Sequence, residues 1–155
     1  MHADTIGRVN YELYMGAALA EAKAAARSGD KGEGAVAVLD EAMVSRGRNQ
    51  VESTGDPTAH AVMVVLREAA RRLGRSKLSG MIIFATIEPC TMCVGALLES
   101  DVDGLVFALP DPANGAAGSA GVSTSEALRR RVRVVSGIMQ AEAAELSAPI
   151  AAGRS

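Results

Sequence analysis

Cys90 and Cys93 are the only cysteines of the chain, and they stand three residues apart in an apolar segment that follows Pro89. Positions i and i+3 share one face of a helix, and Pro is favoured in the first helical turn. The exposed N–H groups at a helix N-terminus favour thiolate over thiol. A fold of this chain must therefore bring two thiolates to one point at the start of a helix. Taken alone, the pair is as consistent with a redox dithiol as with half of a metal site.

His60 offers a third ligand. The chain has two histidines: His2 belongs to the N-terminal tail, whereas His60 stands near the start of a second apolar helical segment. A single histidine there is more often a cap or a surface residue than a ligand. Together with Cys90 and Cys93, however, it completes a nitrogen and sulfur set suited to zinc. Three protein ligands leave a fourth tetrahedral position for water, as in catalytic zinc sites. The sequence predicts one Zn²⁺ per chain, held by these three residues and by water or hydroxide.

Helical and strand-like segments alternate along the rest of the chain, which indicates an α/β domain of three layers. The segment MIIFATI is apolar and β-branched throughout, as expected of a strand covered on both faces. The 155 residues, 48% of them hydrophobic, fit one domain at 1–155, with frayed ends at 1–8 and 148–155. Predicted strands are Ala35–Asp40, Ala42–Asn49, Met81–Ile87, Gly104–Leu109 and Arg131–Val135; predicted helices are Asn10–Ser28, Thr58–Leu73, Cys90–Ser100 and Ile138–Leu146; predicted loops are Gln50–Pro57 and Asp111–Ser125.

Composition narrows the classes of partner. The net charge of −2 gives no general attraction to nucleic acid, although a local basic patch is compatible with it. No stretch approaches the roughly 20 apolar residues of a membrane span. Two cysteines so close in sequence make a poor disulfide framework, and the first eight residues lack a signal-peptide pattern. We therefore expect a reduced, cytoplasmic protein with no membrane partner.

Three segments, GRNQVESTGDPTAHA, EPCTMCVGALLES and DPANGAAGS, resemble the zinc deaminases of the cytidine-deaminase-like superfamily. Their pattern is H-x-E followed by P-C-x-x-C. The resemblance is strongest to the branch of tRNA-specific adenosine deaminases and guanine deaminases. It implies a three-layer α/β/α sandwich around a five-stranded mixed sheet, with both metal-bearing helices on one face. It also implies a homodimer, or a higher oligomer, whose neighbouring subunit helps to wall the active site.

Site residues follow from the resemblance position by position. His60, Cys90 and Cys93 correspond to the zinc ligands, and Asn49 corresponds to the base-binding asparagine. From its local sequence alone, Asn49 would instead be a turn residue at the end of a strand. The backbone of Ala61 and the Glu88–Pro89 turn are expected to line the substrate pocket.

Val62 stands where the family carries its glutamate. That glutamate takes a proton from the attacking water and delivers it to the substrate. Valine cannot carry a proton, and loss of a general acid/base typically costs about 10²–10⁴ in rate. The sequence therefore predicts impaired activity unless another group takes over. A silenced zinc-containing binding or oligomerisation module, and an introduced substitution at this position, are the alternatives.

Another glutamate of the chain could replace the missing carboxylate. Glu68 lies six residues after Val62, about 240° around the helix axis. Glu88 occupies an ordinary motif position and is expected to act as a helix-start charge. Glu142 and Glu145, in the last predicted helix, are more open candidates, although solvated surface charges are the simpler interpretation for both.

Substrate class is divided between two branches. The DPANGAAGS loop favours the tRNA-editing branch. Three features argue against an RNA substrate: the net charge is acidic, the ending SAPIAAGRS has no basic run, and the segment LRRRVRVVSGIM has no Asn-His pair. A free nucleobase, nucleoside or similar amino-heterocycle is thus the first expectation, and a tRNA adenosine the second. Arg129, Arg130, Arg131 and Arg133 could contact phosphate, although a solvated strand edge is the preferred interpretation.

Overall fold

A computed structural model describes residues 9–119 and 122–153. These residues form a five-stranded mixed sheet with helices packed on both faces. The strands are β1 (Gly34–Leu39), β2 (Ala42–Arg48), β3 (Ile82–Ile87), β4 (Gly104–Leu109) and β5 (Arg133–Ser136), and the helices are α1 (Tyr11–Arg27), α2 (Val51–Thr54), α3 (Ala61–Leu73), α4 (Thr91–Glu99), α5 (Val122–Arg131) and α6 (Gln140–Gly153). The spatial order is β2-β1-β3-β4-β5. β1 is antiparallel to both neighbours, and β3, β4 and β5 are parallel. The predicted sandwich around a mixed sheet is confirmed.

The two faces of the sheet carry different helices, because successive side chains of a strand point to opposite sides. One face packs against α3, α4 and α5 through residues such as Ala35, Ile83 and Leu105. The other face packs against α1 and α6 through Val36 and Phe84, among others. The helices that begin at the predicted ligands, α3 and α4, thus share one face.

The start of β1 is fixed by a close approach to α1. A Cβ atom on Gly34 would lie 2.0 Å from the Ala18 carbonyl oxygen and 2.6 Å from the Ala22 nitrogen, so only glycine fits. The Gly34 amide donates to Thr86 Oγ1 at 3.0 Å in β3. One residue earlier, the Glu33 carbonyl accepts from the Asn49 amide at 3.0 Å. The backbone at residues 33–34 is therefore anchored to three neighbouring elements.

α5 is the helix that sequence analysis missed, since it begins inside the predicted loop Asp111–Ser125. Val122 is followed in its first turn by Ser123, Thr124 and Ser125, and Ser and Thr favour caps and turns over helix interiors. Packing overrides this preference: Leu128 is fully buried in the core, and Ser125 Oγ donates to the Ala116 carbonyl at 2.9 Å. Because the helix extends to Arg131, β5 begins at Arg133 instead of the predicted Arg131.

Smaller differences concern element ends. The predicted loop Gln50–Pro57 contains the short helix α2, and α6 continues to Gly153, beyond the predicted end at Leu146. Of the ends expected to fray, 1–8 and 148–155, residues 148–153 belong to α6, whereas residues 1–8 and 154–155 lie outside the described residues. None of the helices in the described part of the chain combines the length and apolar character needed to cross a membrane.

Candidate metal centre and active site

His60 and Cys90 each occupy the position just before a helix. Both have extended backbones, with φ −69° and ψ 152° at His60 and φ −76° and ψ 177° at Cys90. The sequence predicted that the helix containing His60, α3, begins at Thr58. In the structure, however, Asp56 Oδ1 accepts from the Thr58 amide at 2.8 Å. A turn of this kind, closed by a side chain, competes with helix formation by the same residues. The helix therefore starts after His60, and the imidazole projects from its N-terminus.

The three predicted ligands meet in space. His60 Nδ1 lies 3.5 Å from Cys90 Sγ and 3.7 Å from Cys93 Sγ, and the three donor atoms all lie within 4.8 Å of one another. Zinc bonds of about 2.3 Å to sulfur and about 2.0 Å to nitrogen, at tetrahedral angles, require donor separations of about 3.6 Å. The two separations from His60 Nδ1 match those that a zinc ion requires.

The thiols of Cys90 and Cys93 form a hydrogen-bonded pair. This bond lowers the pKa of Cys90 to about 5, because the Cys93 thiol donates to the Cys90 thiolate. The same bond raises the pKa of Cys93, and burial, the Cys90 charge and the negative charge of Glu33 add to the increase. The pair thus shares one proton, which a metal ion would displace because ligation requires thiolates.

A cavity of about 380 Å³ opens over the three ligands. Asn49, Ala61 and Val62 line it, and each is about 4% exposed. Glu33 also lines the cavity. The site therefore joins a set of zinc-ligand atoms to a chamber in the size range of small-ligand pockets, which begins at about 300 Å³.

The sequence profile of the cytidine and deoxycytidylate deaminase zinc-binding region matches residues 8–109. The chain belongs to this deaminase family. A tRNA-specific adenosine deaminase of Bacillus subtilis is 38% identical over 132 residues, which cover 84% of this chain and 82% of the relative. The guanine deaminase of the same organism is 38% identical over 90 residues, 57% of this chain and 58% of the relative.

A solved structure from a study of A-to-I editing by tRNA:A34 deaminases superposes with a TM-score of 0.80. It is 34% identical and covers 86% of this chain and 97% of its own. The resemblance expected from the motifs is therefore confirmed, both for the superfamily and for the branch of tRNA adenosine deaminases and guanine deaminases.

Asn49 has the turn function considered from the sequence, and it also lines the cavity. Its Oδ1 accepts from the Val51 amide at 3.0 Å, which is the turn function. Its Nδ2 donates to Glu33 Oε1 at 3.0 Å. An amide nitrogen carries two hydrogens, so one remains for a ligand in the cavity.

Glu33 belongs to none of the motifs that carry the resemblance, so the sequence did not predict it as a site residue. The signal that could have found it is the strand register. Gly34 pairs with Arg48 across β1 and β2, so the preceding Glu33 lies opposite Asn49. An acidic residue opposite a predicted base-binding residue is a candidate for the same site.

Glu88 is a structural residue and not the helix-start charge that the sequence suggested. Its buried carboxylate accepts from the amides of Asp111, Ala117 and Ser119, each at 3.0 Å, and from Ser119 Oγ at 2.5 Å. Burial alone would raise the pKa of Glu88, but these hydrogen bonds outweigh burial and lower it. Glu88 therefore holds the loop of residues 111–119 against the start of α4.

Glu68, Glu142 and Glu145 do not line the cavity. Glu68 forms ion pairs with Arg71 and Arg72 on the outer surface of α3. Glu142 and Glu145 are exposed on α6, which packs on the opposite face of the sheet through Ala143. Within one subunit, neither of the C-terminal glutamates can replace the carboxylate missing at Val62.

Proposed function

We propose that this chain is a zinc-dependent hydrolytic deaminase of an adenosine in tRNA. The observation that carries the proposal is the donor triangle of His60, Cys90 and Cys93, spaced for zinc and opening into a cavity that contains Asn49. Zinc, when bound, would lower the pKa of a water molecule towards neutrality and so supply a nucleophile. One ion per chain is proposed.

The protein groups around the cavity would bind and orient the base. The free Asn49 amide hydrogen can donate to a ring nitrogen or carbonyl oxygen. Val62 and the buried Ala61 form an apolar wall against which an aromatic ring can pack. A base would enter the chamber only after leaving its stack, as enzymes that modify bases require.

A basic cleft beside the cavity supports an RNA substrate. A groove of about 740 Å³ is lined by Arg129, Arg130, Arg131 and Arg133, and Glu88 belongs to both the groove and the cavity. Arg131 pairs with Asp101 at 2.5 Å, whereas the other three make no ion pair with any residue of the described ranges 9–119 and 122–153. Exposed arginines beside the site can hold the phosphates of a bound strand.

The substrate ranking from the sequence is thereby reversed. The tRNA-specific relative matches over 132 residues, which supports the second expectation better than the first. A free nucleobase is retained as the second candidate because of the guanine deaminase relative and the net charge of −2.

A homodimer, expected from the resemblance, stays a prediction that light scattering can measure.

The test compares substrates directly. Zinc-loaded protein is incubated with an anticodon stem-loop RNA that carries adenosine at the wobble position, and separately with free guanine, adenine, cytosine and their nucleosides. Release of ammonia and formation of inosine are measured, with His60→Ala as the metal-deficient control. Turnover of the RNA supports the proposal, and turnover of small molecules alone selects the second candidate. No turnover of any substrate by zinc-loaded wild type or Val62→Glu would leave the binding-module alternative.

A further inference from the structure

We propose that Glu33 carries the protons of the deamination reaction, in the role that the family gives to a glutamate at the position of Val62. The inference rests on the proposed deaminase function and assigns the proton-carrying role to a residue outside the zinc motifs. Val62 then serves as an apolar wall of a functioning site instead of marking a silenced one.

Position supports this role. Glu33 lines the same cavity as the three ligand residues and Val62, and only 16% of its side chain is exposed. The carboxylate therefore belongs to the same chamber as the predicted zinc ligands, in which the base would react.

The other carboxylates of the cavity wall are less suited. Besides Glu33, they are Glu52, Glu88 and Asp111. Glu88 is fully engaged by the loop of residues 111–119. Asp111 Oδ1 accepts from the amides of Ala113 and Asn114, each at 3.2 Å. Glu52 is exposed in the first turn of α2. Glu33 alone among these four is largely shielded from solvent and bonded to the predicted base-binding residue Asn49.

The side chain of Glu33 is also held in place. Its Oε1 accepts from Asn49 Nδ2 at 3.0 Å, and its Oε2 pairs with Lys31 Nζ at 3.1 Å. The backbone beside it is anchored because Gly34 packs directly on α1. A carboxylate has about four lone-pair sites, so these two contacts leave capacity to accept a proton. Positioned acids and bases of this kind are what proton transfer requires.

The chemistry balances with one carboxylate. The oxygen of a water molecule bonds to the ring carbon that bears the amino group, and one water proton passes to Glu33. The resulting acid delivers this proton to the adjacent ring nitrogen. The carboxylate then moves the remaining hydroxyl proton to the amino group, the C–N bond breaks with its electron pair on nitrogen, and a carbonyl forms. Substrate and water become the oxo product and ammonia, and Glu33 is regenerated as a carboxylate.

An apolar residue at position 62 is consistent with this arrangement. Two carboxylates in one small chamber disfavour each other's charged forms. A second glutamate beside Glu33 would make one of the two carboxylates harder to ionise. The wild-type protein should therefore turn over substrate without Val62→Glu.

The experiment uses Glu33→Gln, because glutamine keeps an acceptor for Asn49 but cannot carry a proton. With the stem-loop RNA, and with the small bases in parallel, we expect kcat to fall at least about 10²-fold. Zinc content and affinity for the same RNA with inosine at the wobble position, measured by fluorescence anisotropy, should stay within threefold. Glu52→Gln, which removes an exposed charge from the rim of the same cavity, is the matched control and should retain activity. Glu33→Gln combined with Val62→Glu should recover at least about tenfold.

Each of the following outcomes would overturn a stated part of the proposal. Wild-type activity that survives Glu33→Gln contradicts the proton-carrying role and leaves the deaminase function intact, as does activity that appears only in Val62→Glu. A loss of inosine-RNA affinity as large as the loss of kcat would assign Glu33 to substrate binding. Zinc-loaded proteins that are inactive in every variant would overturn the deaminase function and this inference together.

Discussion

The side-chain amide of Asn49 donates to the Glu33 carboxylate at 3.0 Å, so the predicted base-binding residue and the cavity carboxylate form one hydrogen-bonded unit. Asn49 is also tied to α2 through the Val51 amide. A substitution that breaks this bond should therefore affect both binding and proton transfer, whereas Glu33→Gln, which keeps an acceptor for Asn49, should affect proton transfer alone.

Asn49→Ala is expected to raise KM about tenfold and to lower kcat as well, because it removes a contact to the base and releases Glu33. Loss of the bond from the part-buried Val51 amide should lower the free energy of unfolding by about 1–2 kcal/mol. Steady-state kinetics and urea unfolding measure the two effects. An unchanged KM would show that Asn49 has only its turn function.

Zinc should copurify at about one ion per chain, and Cys90→Ser, Cys93→Ser and His60→Ala should each lose most of it. The reason is that each removes one of three ligands spaced for tetrahedral coordination. Elemental analysis gives the stoichiometry, and chelation should lower Tm. His2→Ala, at the second histidine of the chain, is the matched control. A Cys90–Cys93 disulfide without metal in reduced preparations would contradict the site.

Glu88→Gln should lower the free energy of unfolding by about 2–3 kcal/mol at pH 7, since bonds to a charged acceptor are replaced by weaker ones. The folded state lowers the pKa of Glu88, so its stabilisation is present above the unfolded pKa of about 4.3 and is lost as the pH falls below it. The difference between wild type and variant should therefore shrink between pH 5 and pH 3. Urea unfolding at several pH values tests this, with Glu52→Gln as a control expected to lie within about 0.5 kcal/mol.

Arg129→Gln and Arg130→Gln should weaken binding of the stem-loop RNA. Each substitution removes one phosphate contact and should reduce the slope of log Kd against log salt by about one. Fluorescence anisotropy between 50 and 200 mM salt, a range over which phosphate contacts change affinity strongly, measures this. Arg75→Gln, an exposed arginine after α3, is the control. If all variants show the same slope of log Kd against log salt as the wild type, the arginine cleft does not contact the RNA phosphates.

The ligand set and the sheet could be predicted because their signals are local. His60, Cys90 and Cys93 each stand at a helix start, and the central strands are short apolar runs. α5 could not, because its stability comes from the burial of Leu128 against other elements and not from its Ser- and Thr-rich start. Glu33 depends on cross-strand register, which a scan of motifs does not reveal.

The division of the sheet into two faces has a consequence for directed evolution. Side chains such as Val36, Phe84 and Val106 pack with α1 and α6, away from the metal-binding helices. Libraries restricted to this layer can be screened for thermal tolerance with little direct disturbance of the cavity. Because most proteins lie below their stability optimum, gains of about 0.5–2 kcal/mol per substitution are attainable there. Such a stabilised background would tolerate riskier changes at residues 33, 49 and 62, where altered base preference must be sought.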